Sequence, residues 1–391
     1  MDELILVVNA GSSSVKFALY QASQEICAGQ AEGLLTQPRF HARSIGAEPE
    51  THAIPEAGHH AAVAFLAAWL HTAFPAQRVS AVGHRVVHGG DPAPGPTLVT
   101  PELLARLESL VPQMPLHLPH NLAPIHALPR LRPDLPQVAC FDTSFHRTLP
   151  RLEQLFAIPR ELIGEGVRRY GFHGLSYEFI ARRLKEIAPA IADRRVVVAH
   201  LGSGASMCAM EGGHSVATTM GFTGLDGLPM GTRPGYMDPG ILLYLMEAKG
   251  MDARAISDFL YKSCGMLGLS GGISNDMREL LASDAPEATE AVDFFVHRAA
   301  RELGSLAAVL GGLDALVFTA GIGEHSPAIR AAICRRSHWL GITLDEAAND
   351  QNRTIISHAD SAVAVLVVAT DENRVIAEHT AALVPLREVS S

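Results

Sequence analysis

A short run of small polar residues near the start of the chain has the composition of a phosphate-binding turn. It reads NAGSSSVK (residues 9–16) and follows an apolar, strand-like run. Backbone N–H groups and hydroxyls around Gly11, Ser12 and Ser14 are donors of the kind that phosphate oxygens accept, and Lys16 adds a positive charge. The spacing is not that of a Walker A loop, so an ordinary hairpin turn is the alternative.

Three glycine-rich segments in the second half are typical of loops that let a ligand approach the backbone. They read HLGSG (200–204), SGGISNDMR (270–278) and TAGIGE (319–324). The last follows an apolar, strand-like run and precedes a helix expected to begin near Ser326, which is where nucleotides bind in α/β sheets. It lacks the third glycine of a dinucleotide site. Together the three segments favour a nucleotide.

Arginine and histidine recur in short polar islands around Arg85, His173 and Arg233. Such donors stabilise the charge that develops on a transferred phosphoryl group, and an arginine can also pair with a carboxylate in bidentate geometry. An arginine considered on its own more often forms a structural ion pair than a functional contact. Because glycines flank His173 and Arg233, the functional interpretation is as well supported as the structural one.

Carboxylates follow two of the predicted strands, in FDT (141–143) and TDEN (370–373). Acidic side chains at the carboxyl ends of strands are placed for metal or substrate binding, and magnesium needs only one or two of them beside phosphate and water. Helix N-capping by Asp371 is the alternative for the second motif.

Apolar periodicity predicts an α/β fold, and 391 residues favour two domains. The predicted strands cover 4–9, 13–20, 80–87, 137–141, 195–200, 205–210, 314–319 and 363–369. The predicted helices cover 59–73, 101–110, 175–187, 239–249, 253–261, 289–310 and 326–338. Proline-rich residues 89–101 and 112–136 are expected to be loops. The layouts of 7–19 and 197–210, a strand, a Gly/Ser turn and a second strand, predict a duplicated domain.

Composition excludes several other classes of protein. The net charge is −10 with no block of Lys or Arg, which argues against a nucleic-acid partner. The acidic first residues do not resemble a signal peptide, and the longest apolar run, 61–70, is too short to span a membrane. Five scattered cysteines predict reduced thiols in a cytoplasmic protein. The 19 histidines form no zinc motif.

Eight segments, in the order in which they occur along the chain, resemble those of the acetokinase family. This family comprises the acetate kinases of the sugar-kinase, heat-shock-chaperone and actin superfamily. These segments are NAGSSSVKF, GHRVVHGG, FDTSFH, YGFHG, HLGSGAS, GFTGLDGLPMGTR, SGGISND and FTAGIGE. The resemblance implies two duplicated ribonuclease-H-like, actin-type domains with a cleft between them. Expected bounds are 1–146 plus 374–391 for the substrate-side domain and 147–373 for the nucleotide-binding domain. It also implies a homodimer, ATP and Mg²⁺ (with Mn²⁺ as an alternative), and transfer of the γ-phosphoryl group to acetate.

Site roles follow from the resemblance, residue by residue. Four residues match the catalytic positions: Asp142, His173, Arg233 and Arg85. The acyl pocket is implied at Arg85, Val87, Leu116, Phe172 and Gly224. Nucleotide contacts are implied at Ser12, Ser14, Lys16, His200, Leu201, Gly202, Ser203, Gly204, Asp276, Met277, Arg278, Ala320, Gly321, Ile322, Gly323 and Glu324. The metal ligands are implied to be Asn9 and Glu372.

The chain departs from the family pattern in three segments. Ser203 replaces a common Asn, TDEN replaces TNEE, and Gly224 replaces a frequent Pro. The missing proline ring predicts open space near the acyl methyl and tolerance of propionate. Asp142 matches the catalytic acid; because acetate is already ionised near neutral pH, we expect it to position an arginine or a metal-bound water. A propionate or butyrate kinase and a non-catalytic nucleotide-gated binding protein are the alternatives.

Overall fold

The computed structural model describes residues 2–91, 95–115 and 117–384. It divides into two compact units. The first contains the described residues up to Ser144 and from Asp371 onward, and the second spans Phe145–Thr370. The domain bounds expected from the sequence lie a few residues further along the chain.

The helices and strands of both units follow the alternating order that the apolar runs predict. Up to residue 144 they are β1 Asp2–Ala10, β2 Ser14–Gln21, β3 Gln24–Glu32, β4 Arg39–Ser44, β5 Glu50–Ala53, α1 His59–Ala73, β6 Gln77–Val86, β7 Thr97–Leu98, α2 Pro101–Ser109, α3 Leu118–Leu131 and β8 Gln137–Phe141. The second unit contains α4 Arg151–Gln154, α5 Arg160–Gly164, α6 Gly174–Ile187, α7 Pro189–Ala192, β9 Val196–Leu201, β10 Ala205–Glu211, β11 His214–Thr218, α8 Gly240–Lys249, α9 Ala253–Lys262, α10 Gly265–Leu269, α11 Met277–Leu281, α12 Pro286–Leu310, β12 Ala315–Thr319, α13 Ala320–His325, α14 Pro327–Arg336, α15 Glu346–Asp350 and β13 Ala364–Val367. The last helix, α16 Glu372–Leu383, belongs to the first unit.

The two units share one sheet topology. The first unit has the order β5-β4-β3-β2-β1-β6-β8-β7 and the second β11-β10-β9-β12-β13. In each unit the first three strands along the chain, β1 to β3 and β9 to β11, pair with one another in antiparallel order. The next two core strands, β6 and β8 in the first unit and β12 and β13 in the second, run parallel to β1 and β9. The duplication predicted from the two Gly/Ser hairpins is thereby confirmed: β1–β2 and β9–β10 are equivalent hairpins.

Each unit buries its own apolar core. In the first, side chains of β1, β2 and α1 form a cluster that includes stacked Phe17 and Phe40. In the second, β9, β12 and α6 enclose Val198, Val317 and Tyr177. These strands are almost fully apolar because helices cover the parallel part of each sheet.

The predicted loop over 112–136 is wrong, because α3 occupies Leu118–Leu131. Pro119 lies in its first turn, where a missing N–H costs nothing, and Pro124 and Pro129 lie within the helix. Buried Leu118, Leu122, Ile125 and Leu128 show the helical spacing that the prolines obscured. Packing of this face against α1 and the sheet outweighs the lost backbone hydrogen bonds.

Other local predictions also need correction. The sequence analysis overlooked β3, β4, β5, β7 and β11, which are short or carry alternating polar residues, and it overlooked α16. The helix predicted near Ser326 is confirmed by α14, which begins at Pro327, but the segment 319–324 before it is not a simple turn, since α13 begins at Ala320 directly after β12. All five cysteines lie in the described residues, and they are buried and form no disulfide. Among the described residues, none of the helices combines the length and apolar character needed to cross a bilayer.

Candidate active site

The Gly/Ser turn of the first unit lies between β1 and β2. Asn9 and Lys16 face each other across this hairpin, and the N–H of Gly11 donates a 2.8 Å hydrogen bond to the carbonyl of Ser14. Ser12 and the Lys16 side chain are exposed to solvent. The turn therefore offers hydroxyls, backbone donors and one cation to a ligand.

Arg85, on β6, is held by two carboxylates of the same unit. Its Nε and Nη2 donate to Asp142, which follows β8, at 3.1 and 2.8 Å, and its Nη1 lies 3.5 Å from Oε2 of Glu372 at the start of α16. Burial alone would lower the pKa of Arg85, but the two carboxylates raise it above its ordinary value. The guanidinium is thus permanently charged and fixed in orientation.

Asp142 is buried, with 1% of its surface exposed, and its bidentate contact occupies both carboxylate oxygens. Removing one partner of such a pair leaves an uncompensated buried charge, which costs roughly 3–5 kcal/mol. Its geometry is that of an anchor for Arg85. Asp371, beside Glu372, accepts a hydrogen bond from the N–H of Arg374 and so caps α16, as the alternative for TDEN predicts.

The donors implied for a metal, Asn9 and Glu372, are both in the first unit. Within the described ranges, there is no group of three or more His, Cys, Asp or Glu side chains suited to a metal ion. One carboxylate and one amide oxygen nevertheless fit magnesium, which takes few protein ligands when phosphates and waters complete its shell. Asp142 takes the close contacts to Arg85, so Glu372 is the more loosely paired carboxylate.

Two histidines of the second unit stack on each other. The rings of His173 and His200 lie 4.2 Å apart and nearly parallel. Nδ1 of His173 is 2.8 Å from Oγ of Ser206, and Nδ1 of His200 is 2.8 Å from Oγ of Ser176. His173 has a left-handed backbone (φ 57°) immediately before α6. This strained conformation and the serine contact fix the direction of its ring.

Arg233 and His173 both lie close to Gly204. A Cβ atom on Gly204 would lie 2.8 Å from Nη2 of Arg233 and 3.2 Å from Nε2 of His173. The absence of a side chain at 204 is therefore what lets these two side chains approach the HLGSG loop. Nη1 of Arg233 donates a 2.7 Å hydrogen bond to the carbonyl of Gly224.

The space expected beside Gly224 is occupied. A Cβ atom at this position would lie 2.9 Å from Nη1 of Arg233, so the missing side chain leaves room for a guanidinium. Of the other residues implied for an acyl pocket, Phe172 is buried and Val87 half-buried, whereas Leu116 lies outside the described residues. Val87 donates its N–H to Oδ1 of Asn121 on α3, at 2.9 Å.

Residues from all three glycine-rich segments line a cavity of about 750 Å³ in the second unit. Seven of the residues implied for nucleotide contacts line it: Gly202, Ser203, Asp276, Met277, Arg278, Gly321 and Ile322. The sequence analysis did not identify its other lining residues: Met230, Gly231, Met266, Asn275, Leu281, Phe295, His325, Ser326, Pro327 and Ala328. Apolar side chains with a few polar groups are typical of a site for a heterocyclic base.

The remaining residues implied for nucleotide contacts in this unit do not line the cavity: His200, Leu201, Gly204, Ala320, Gly323 and Glu324. Oε1 of Glu324 instead accepts hydrogen bonds from the N–H groups of Ala320, at 2.8 Å, and Thr370, at 3.1 Å. Ala320 has a left-handed backbone (φ 65°), which is strained for a residue with a side chain. Glu324 thus stabilises the turn from β12 into α13.

Arg330 supports the same turn and was missed by sequence reasoning. It is fully buried, and it donates to the carbonyls of Gly323 and Glu324 at 2.9 and 3.0 Å. Further donations go to Asn349 and Asn352. Its residue type gave no signal, because an arginine on a helix is ordinarily exposed to solvent.

The comparisons with known proteins agree with this geometry. A model of the acetokinase family matches residues 4–378. An acetate kinase of Rhodopseudomonas palustris is 56% identical over 390 residues, which cover 97% of this chain and 98% of the relative. An acetate kinase of Nitrobacter hamburgensis is 52% identical over 99% of this chain and 98% of its own length.

Solved structures show the same similarity in three dimensions. The crystal structure of Porphyromonas gingivalis acetate kinase has a TM-score of 0.88 and 36% identity, covering 97% of this chain and 99% of that one. A propionate kinase of Francisella tularensis has a TM-score of 0.91 at 36% identity and the same coverages. The fold is that of an α/β phosphotransferase built from two duplicated domains. The chain belongs to the acetokinase family.

Proposed function

We propose that this protein is an acetate kinase, which reversibly transfers the γ-phosphoryl group of ATP to acetate and forms acetyl phosphate and ADP. The observation that carries the proposal is the position of His173 and Arg233 against Gly204, two residues beyond a glycine that lines the nucleotide cavity. A protein that only bound nucleotide would need the cavity, but it would not need an arginine and a histidine beside the HLGSG loop.

The transfer is direct and in line. A carboxylate oxygen attacks the γ-phosphorus and forms a P–O bond while the bond from phosphorus to the β–γ bridging oxygen breaks, with ADP as the leaving group. Acetate is ionised near neutral pH, so no base must remove a proton. Arg85, His173 and Arg233 stabilise the charge that grows on the phosphoryl oxygens. Asp142 keeps Arg85 oriented for this task.

The donor set also fits a magnesium ion. Asn9 and Glu372 would hold it, and when bound it supplies positive charge to the phosphate oxygens of ATP. The Gly/Ser turn with Lys16 binds phosphate in the same unit. ATP-dependent chemistry and five buried cysteines that form no disulfide favour the cytoplasm as the compartment.

A homodimer is part of the proposal. None of the ten residues of α8, all of them described, is buried, although the helix is mostly apolar. Leu243 and Tyr244 are 59% and 55% exposed. We propose that a second copy covers this face, because a contiguous apolar helix surface is rarely left in water. Leu243→Glu should shift the mass measured by light scattering from dimer to monomer, and an unchanged dimer would contradict this role of α8.

The decisive experiment is trapping of the acyl phosphate as a hydroxamate from ATP, magnesium, hydroxylamine and acetate, propionate or butyrate. We expect product, with the highest kcat/KM for acetate. Higher kcat/KM for propionate would favour the alternative within the family, and no hydroxamate from any acid would favour a binding protein. Arg85→Ala and Arg233→Ala should lower kcat far more than they weaken ATP binding, because the charge they meet is largest in the transition state.

A further inference from the structure

The turn between β1 and β2 is contacted by a histidine from a distant part of the same unit. Nε2 of His59 donates a 2.6 Å hydrogen bond to the carbonyl oxygen of Gly11. His59 is the first residue of α1 and is half-buried. Because Gly11 has no side chain, its backbone has more freedom than any other residue of the turn, and an external hydrogen bond restricts that freedom.

A second histidine packs against the first. The rings of His59 and His120, on α3, lie 5.1 Å apart at an angle of 22°. Burial and the neighbouring charge of His59 lower the pKa of His120. The adjacent Asn121 donates from Nδ2 to the carbonyl of Ala10 at 2.7 Å. The carbonyl groups of Ala10 and Gly11 thus each accept a hydrogen bond from a side chain, the first from Asn121 of α3 and the second from His59 of α1.

We propose that His59 is a positioning residue for the phosphate-binding turn. By donating to Gly11 and packing on His120, it fixes the backbone of residues 11–14 in the conformation that receives phosphate oxygens, so that less ordering remains to be done on binding ATP. The inference rests on the proposed function, in which this turn is a phosphate ligand. His59 itself contacts none of the proposed catalytic residues in the described contacts.

The test compares His59→Ala with two variants. His59→Gln retains an N–H donor that can reach Gly11, and His60→Ala changes the exposed neighbour at the same helix end. We expect His59→Ala to raise the KM for ATP about fivefold while kcat and the KM for acetate stay within twofold. His59→Gln should recover most of the loss, and His60→Ala should match the native protein.

Hydrogen exchange gives a readout that does not depend on activity. In His59→Ala, amides of the peptide covering residues 9–20 should exchange faster without nucleotide, whereas His60→Ala should leave them unchanged. Equal exchange in the two variants would overturn the proposal, whatever the kinetics. Faster exchange with an unchanged KM for ATP would overturn it too, because the ordered turn would then not bind phosphate. Whether the protein phosphorylates acids at all is decided separately by the hydroxamate assay on the native chain.

Discussion

Nη1 of Arg233 lies 2.7 Å from the carbonyl oxygen of Gly224, and a Cβ atom on that glycine would come within 2.9 Å of the same nitrogen. The glycine therefore both binds the guanidinium and makes room for it. Since the contacted atom is the end of a flexible side chain, a small residue at 224 would displace Arg233 and leave the fold intact.

Gly224→Ala should lower kcat about tenfold, equivalent to roughly 1.4 kcal/mol of transition-state stabilisation, with a KM for ATP within twofold. The reason is that Arg233 is displaced from the position in which we propose that it stabilises the charge of the transition state. Steady-state kinetics would measure this, with Gly164→Ala as the control, because a Cβ atom there meets nothing within 4 Å. An unchanged kcat with a shifted ratio of acetate to propionate would instead make position 224 a determinant of acid chain length.

Asp142→Asn should lower kcat by two or more orders of magnitude while leaving the shape of the pH–rate profile unchanged. The amide cannot hold the Arg85 guanidinium in the charge-assisted bidentate contact, but no proton transfer is lost. Arg85→Lys, which keeps the charge and loses the planar fork, should show a comparable defect. Disappearance of an acidic limb from the profile of Asp142→Asn would show that Asp142 is a general base.

Glu372→Gln should raise the magnesium concentration needed for half-maximal rate, because the substitution replaces the charged oxygen of the proposed metal ligand by a neutral one. Glu378→Gln is a matched control on the same helix, where Glu378 pairs with Arg374. Magnesium titrations at fixed ATP would compare the two. If both variants keep the native requirement, Glu372 serves only to hold Arg85, from which it lies 3.5 Å away.

Acid should destabilise the protein through His146. Nε2 of this ring donates to the carbonyl of Phe172 at 2.9 Å, its Nδ1 accepts from Ser215, and burial lowers its pKa to about 4. The unfolded chain takes up a proton near the ordinary value of about 6.5, so stability is present above that pH and is lost as pH falls toward 4.

The predicted loss from this one histidine is about 2 kcal/mol between pH 6.5 and pH 5, at roughly 1.4 kcal/mol per pH unit. Urea unfolding of the native protein, His146→Gln and the exposed control His52→Gln at both pH values would measure it. The glutamine variant at 146 should be less stable at pH 6.5 but show a smaller loss on acidification. An equal loss in all three proteins would exclude His146 as a source of the acid sensitivity.

Much of the fold is determined locally. The strands β9 and β12 are apolar except for His200 and Thr319, α12 ends at Leu310, where its predicted span also ends, and the two Gly/Ser hairpins reveal the duplication. The local sequence also identifies the glycine-rich segments whose residues line the cavity of the second unit. These features follow from apolar periodicity and from backbone freedom, both of which are properties of neighbouring residues.

Only the tertiary structure decided what each polar side chain does. The helical face of α3 outweighs its internal prolines once it packs, and that helix brings His120 and Asn121 to the Gly/Ser turn. Glu324 supports the turn at Ala320 and does not line the cavity, and the space beside Gly224 holds Arg233. Hydrogen bonds and burial depend on atoms that are distant in the chain, so neither residue type nor spacing could assign these partners.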